Sequence, residues 1–88
     1  MKLYLVVSEE LEARTGPPGV YCIAELVLAD KPSQAKWSAW STDKDTFNRH
    51  DITEMPKMSC RCVGDFPHET QRRIVSNDSA FVQGWEAQ

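Results

Sequence analysis

The stretch Ala29-Asp30-Lys31-Pro32-Ser33-Gln34-Ala35-Lys36-Trp37-Ser38-Ala39-Trp40 does most to restrict how this chain folds. It closes an apolar run and opens a helix. Asp30 carries a side-chain acceptor for the first free backbone N–H groups and a charge that suits the positive end of a helix dipole. Pro32 fits the first turn, where no N–H is needed and φ is already helical. No Gly or Pro follows until Pro56, so the pattern predicts a helix from Pro32 to about Thr42. At roughly 100° per residue, Ala35, Ser38, Ala39 and Thr42 share one side. Small residues let a helix axis approach a sheet closely, so this side is expected to lie on the sheet. Trp37 and Trp40 then face outward, flanked by Lys36 and Ser41. Later chain folds over the two indoles, or they form a partly exposed anchor for a protein partner. Tryptophan is the residue type most enriched among interface hot spots.

The flanking segments supply the sheet. Lys2 to Ser8 is apolar on both faces, as a central strand would be, and so is Val20 to Ala29, where Glu25 is the exception. Gly16-Pro17-Pro18-Gly19 marks a turn in the loop between them, and a hairpin is the simplest connection. Thr42 to His50 is polar around Phe47, with Thr42 or Asp43 capping a short helical turn. Ile52 and Met55 are expected to tuck under the domain. Lys57 to Val63 alternates and reads as a third, half-buried strand. Arg72 to Ser76 reads as a short edge strand. Asn77 or Asp78 would cap a short final helix carrying Phe81, Val82 and Trp85. The expected fold is α+β: a small antiparallel sheet of three to four strands, one main helix and a short C-terminal helix around a β-β-α-β core. With 88 residues this makes one domain, 1–88.

Composition narrows the partner classes. A net charge of −3, with Arg72-Arg73 as the single tight basic pair, disfavours nucleic acid, whose binding needs clustered Lys and Arg. No segment approaches the ~20 apolar residues of a membrane helix. The apolar run after Met1-Lys2 is too short for a signal peptide and ends in Ser8-Glu9-Glu10, so a cytoplasmic protein is expected. Three cysteines, Cys22, Cys60 and Cys62, do not describe a disulfide framework. Cys60 and Cys62, with Cys22 and His68 or His50, contain zinc-ligand types. Cys-x-Cys on a strand is a poor geometry for one ion, so small buried hydrophobes are expected instead, with no metal and no cofactor.

Candidate catalytic groups are a thiol of Cys60 or Cys62 with His68, and the carboxylates Asp43, Asp45, Asp51 and Glu54. Nucleophilic catalysis needs a base within reach and an oxyanion site, and no elbow or loop signature accompanies these residues. The carboxylates read more simply as turn caps and a solvated face.

The order strand, turn, strand, then Ala29-Asp30-Lys31-Pro32-Ser33-Gln34-Ala35-Lys36, resembles small bacteriophage and prophage accessory proteins. In these a strand ending in Ala-Asp or Ala-Glu leads into a Ser-x-Ala-Lys helix start with aromatic residues behind it. The resemblance covers the first half of the chain. It implies an inhibitor of host defence, the anti-CRISPR proteins being one such group, that binds a bacterial host protein or complex and blocks it in the host cytoplasm. It carries over no functional residues.

The expected function is therefore a non-enzymatic protein-binding module. Its contact residues would be Trp37, Trp40 and Lys36, with Glu9, Glu10 and Glu12 as a charged rim that affects association rate more than affinity. The alternative is a structural or self-associating component, with an exposed sheet edge pairing to its copy in a homodimer.

Overall fold

Strand-forming Leu, Val and Tyr residues make Lys2–Ser8 (β1) the centre of the molecule. In the computed structural model, which describes residues 1–16, 18–78, 81, 82 and 84, the remaining elements are β2 (Leu11–Glu12), β3 (Val20–Tyr21), β4 (Ala24–Ala29), α1 (Pro32–Arg49), β5 (Met58–Asp65) and β6 (Arg73–Ser76). One four-stranded sheet has the order β5-β1-β4-β6, with every neighbouring pair antiparallel. The two strands apolar on both faces, β1 and β4, are the two inner strands. The α+β expectation holds, with β6 added at the edge beyond β4.

The second apolar run is broken where a single strand was expected. Its first two residues, Val20 and Tyr21, pair with Leu11 and Glu12 in a separate small ribbon. The chain re-enters the main sheet after Ile23, whose N–H donates to Ser8 Oγ at 2.7 Å. Gly16, at φ 80°, adopts the left-handed backbone that lets the loop between β2 and β3 turn back.

Helix α1 runs 18 residues, continuous through the polar stretch expected to be a separate turn. Nothing between Thr42 and His50 breaks a helix, and Phe47 supplies an inward contact that holds the last turns. Its N-terminus departs from expectation too. Lys31 occupies the capping position with no side-chain cap, while Gln34 Oε1 accepts the Asp30 N–H at 3.1 Å. The helix ends without a glycine. Asp51 takes the left-handed conformation at φ 60°, its N–H donates to the Asn48 carbonyl at 3.1 Å, and the Ile52 N–H reaches the Phe47 carbonyl at 2.9 Å. This is a Schellman stop, in which Phe47 and Ile52 join the same core cluster.

The helix packs on one face of the sheet against Tyr4, Val6, Ile23, Val27 and Ala29. Ala35 and Ala39 are fully buried, as expected. Trp40 is not on the outside. It is 7% exposed and lies in the core with its ring centroid 5.7 Å from Phe47. The buried arc of α1 covers about 140°, from Ala35 through Ala39 to Phe47 and Trp40, and is wider than the small-residue side alone.

The opposite sheet face buries Leu3, Leu5, Leu26 and Leu28 together with Val82. The expected C-terminal helix is not seen as an element. The Val82 N–H donates to the Asp78 carbonyl at 2.9 Å, and Trp85 lies outside the described residues. Ile52 is buried as expected, whereas Met55 is exposed. The cysteines correct another expectation: Cys22 and Cys62 are exposed and Cys60 is half-buried, because Cys22 sits in the link before β4 and the other two on an edge strand.

Candidate functional site

Two places carry side chains that folding alone does not account for. One is the outer face of α1. Trp37 is 54% exposed there, one helical turn before the buried Trp40. Lys36 is half-buried and its charge lies near the Cys60 thiol on β5. Burial outweighs that charge and pushes the thiol up, which keeps Cys60 protonated and a poor nucleophile. Its Sγ contacts the Pro32 carbonyl at 3.8 Å.

The glutamates do not form a rim around Trp37. Glu9 follows β1 and its carboxylate accepts the Lys57 N–H at 3.2 Å. Glu10 and Glu12 line a hollow with Arg14 and Ile52. Ile52 lies beyond the C-terminal end of α1, where Arg14 N–H bonds the His50 carbonyl and Tyr21 stacks on His50 at 4.3 Å. Trp37 is in the second turn of the helix, roughly 20 Å of helix rise from His50. The fold thus places Trp37 and the three glutamates at opposite ends of α1.

The other place is Glu25, the exception on an apolar strand. Glu25 on β4 pairs in register with Val6, whose side chain belongs to the helix-facing core. The alternation of the strand therefore sends a carboxyl group under the helix. Glu25 is 1% exposed, and among the described residues neither carboxyl oxygen has a hydrogen-bond partner. It lines a cavity of about 130 Å³ with Cys22, Ala24, Asp43 and Asn77. Asp43 comes from α1, half-buried, while the other candidate carboxylates Asp45, Asp51 and Glu54 are exposed.

Two carboxylates facing each other repel, and they attract only when one holds a proton. Burial, and then the facing Asp43, push Glu25 up to about 9. At neutral pH Glu25 therefore keeps its proton. Such a pair can donate a proton, or exchange it for a cation. The sequence signal was a lone acid in an otherwise apolar strand, but nothing local pointed to Asp43 as its partner.

Among the described residues, no three His, Cys, Asp or Glu side chains come together to hold a metal ion. No described helix is long and apolar enough to cross a membrane. No protein-family model, curated protein or solved structure matches the chain.

Proposed function

We propose that this protein is a non-enzymatic binding module that engages a protein partner through the outer face of α1, with Trp37 as the anchor and Lys36 beside it. The observation that carries this reading is the unequal placement of the two indoles. Trp40 meets the packing need of the core, whereas Trp37 is left half in water. A rigid aromatic that loses little entropy on burial is the usual centre of an interface. The partner class, a bacterial host protein blocked by a phage accessory protein, comes from the resemblance of residues 29–36 and is part of the proposal on that support alone.

The test is capture from a bacterial lysate with the parent and a Trp37→Ala variant. Trp40 is left intact, because its removal would damage the core and mimic a lost interface. Loss of one captured partner with an unchanged far-UV circular dichroism spectrum supports the reading. Equal capture by both proteins overturns it.

A second reading has its own observation. Strand β5, eight residues long, has β1 on one side and no strand on the other among the described residues. Open edges of this length pair readily with another chain. Self-association through β5 predicts a molar mass by light scattering that doubles over a concentration series, and a constant monomer mass rules it out.

A further inference from the structure

We propose that the cavity between β4, α1 and the segment after β6 binds a guanidinium group, held between the carboxylates of Glu25 and Asp43. This site is independent of the Trp37 surface.

The case begins with a cost. A buried carboxyl group without a hydrogen-bond partner gives up its hydration with nothing in return, which destabilises the fold. Glu25 stands among Val6, Ile23 and Val27, where an apolar residue would pack without that cost. Both of its oxygens are unpartnered and it lines a space that opens toward solvent beside Asp43. The groups facing that space are Asp43 from α1, the Cys22 thiol from the link before β4, and the uncharged Asn77 after β6. No lysine, arginine or histidine lines it among the described residues. The lining thus holds two acids and no basic group among the described residues.

A nitrogen cation fits the donor count. Guanidinium is planar, presents five N–H donors in a rigid fork, and is more weakly hydrated than ammonium, so it enters a partly buried site at lower desolvation cost. Its edges match two carboxylates, and Asn77 can accept a further N–H. At about 130 Å³ the cavity suits a head group on a slim stem and is below the ~300 Å³ of a drug-sized pocket. Two sources share this chemistry: an arginine side chain of a partner, and a free small guanidine.

Binding has a proton signature. With the proton on Glu25 held up to pH about 9, a guanidinium ion must displace it. The carboxylic acid O–H of Glu25 breaks, the proton leaves to solvent, and the cation takes its place with no change in net charge. Arginine does not titrate in this range. Affinity therefore rises with pH by about tenfold per unit toward pH about 9 and then levels off.

The experiment uses the full chain carrying Cys22→Ser, so that thiol ionisation does not enter the readout. The probes are N-acetylarginine amide, agmatine and the neutral isostere N-acetylcitrulline amide, followed by NMR at several pH values. Saturable shifts at Ala24, Asp43 and Asn77 with both cations, none with the citrulline probe, and the stated pH slope support the site. Tighter agmatine binding identifies a small-molecule source, and tighter N-acetylarginine amide binding a partner side chain. Glu25→Gln should abolish the pH slope and lower affinity at least tenfold. Asp43→Asn, at a half-exposed helix position, gives a second variant whose folding is not at risk, and it too should lower affinity. No saturable shift with either cation, equal binding of the citrulline probe, or unchanged binding in Asp43→Asn overturns the proposal.

Discussion

The two tryptophans of α1 provide a direct measure of how the helix sits on the sheet. Truncating Trp40 to alanine removes the indole of a residue that is 7% exposed and packs beside Phe47. A buried indole removes roughly 200 Å² from water. At ~25 cal/mol per Å² this is about 5 kcal/mol, within the ~3–5 kcal/mol expected for Trp→Ala in a core. A chain of 88 residues has a total stability of about 4–13 kcal/mol at ~0.05–0.15 kcal/mol per residue. Trp40→Ala therefore removes a third or more of it and lowers Tm by at least about 12 °C. Trp37→Ala, at 54% exposure, loses about half that burial, leaves no cavity, and regains ~0.5 kcal/mol of helix propensity. Its net cost is below ~2 kcal/mol. Urea unfolding followed by far-UV circular dichroism gives both numbers, with no reliance on the fluorophore being removed. The expected difference is at least ~2 kcal/mol, with Trp40 the costlier. Equal costs, or a larger one for Trp37, would mean that the helix is turned about its axis and that the assigned core face is wrong.

Other substitutions probe separate parts of the fold. Glu25 titrates near 9 when folded and at the ordinary 4.5 when unfolded, so the folded state keeps a proton that the unfolded chain has released between these values. The stability from this proton is full below pH 4.5 and is lost as pH rises through about 9. Urea midpoints for the wild-type protein should fall across that window and those of Glu25→Gln should fall less, and parallel profiles would refute the buried-acid assignment. Ala39→Leu forces a larger side chain between α1 and the sheet and should cost about 1–3 kcal/mol in the same assay. No loss would place Ala39 away from the sheet. Asp51→Gly relieves the left-handed backbone at the helix stop and should raise stability by about 0.5–1 kcal/mol, seen as a Tm increase of a few degrees. A decrease would argue that the Asp51 side chain contributes more than the strain it carries.

Much of the architecture could be read along the chain because it depends on local rules. The two-faced apolar runs predict the inner strands β1 and β4. The alternating Lys57–Val63 run predicts a half-buried strand, Arg72–Ser76 a short edge strand, and Pro32 the first turn of α1. Helix α1 exceeds the expected Pro32–Thr42 span because the polar residues after Thr42 do not oppose a helix. Its stop was missed because Asp51, and not glycine, fills the left-handed position. For the candidate sites, Lys36 falls inside the buried arc with its charge near Cys60 on β5, and the helix face legible in the sequence is the outward one of Trp37. The link from that face to Glu9, Glu10 and Glu12 was not, since it needed the path of the chain in space.

The sequence by itself determined where the four strands of the main sheet lie, where the helix begins, and that Ala35 and Ala39 face the sheet. These follow from side-chain periodicity and backbone preference within a few residues. Only the tertiary structure decided that Trp40 goes inside while Trp37 stays out, and that Glu25 meets Asp43 across a cavity. The rotation of a helix on a sheet is settled by the summed packing of every residue on both surfaces, and two acids distant in sequence become neighbours only once that rotation is set.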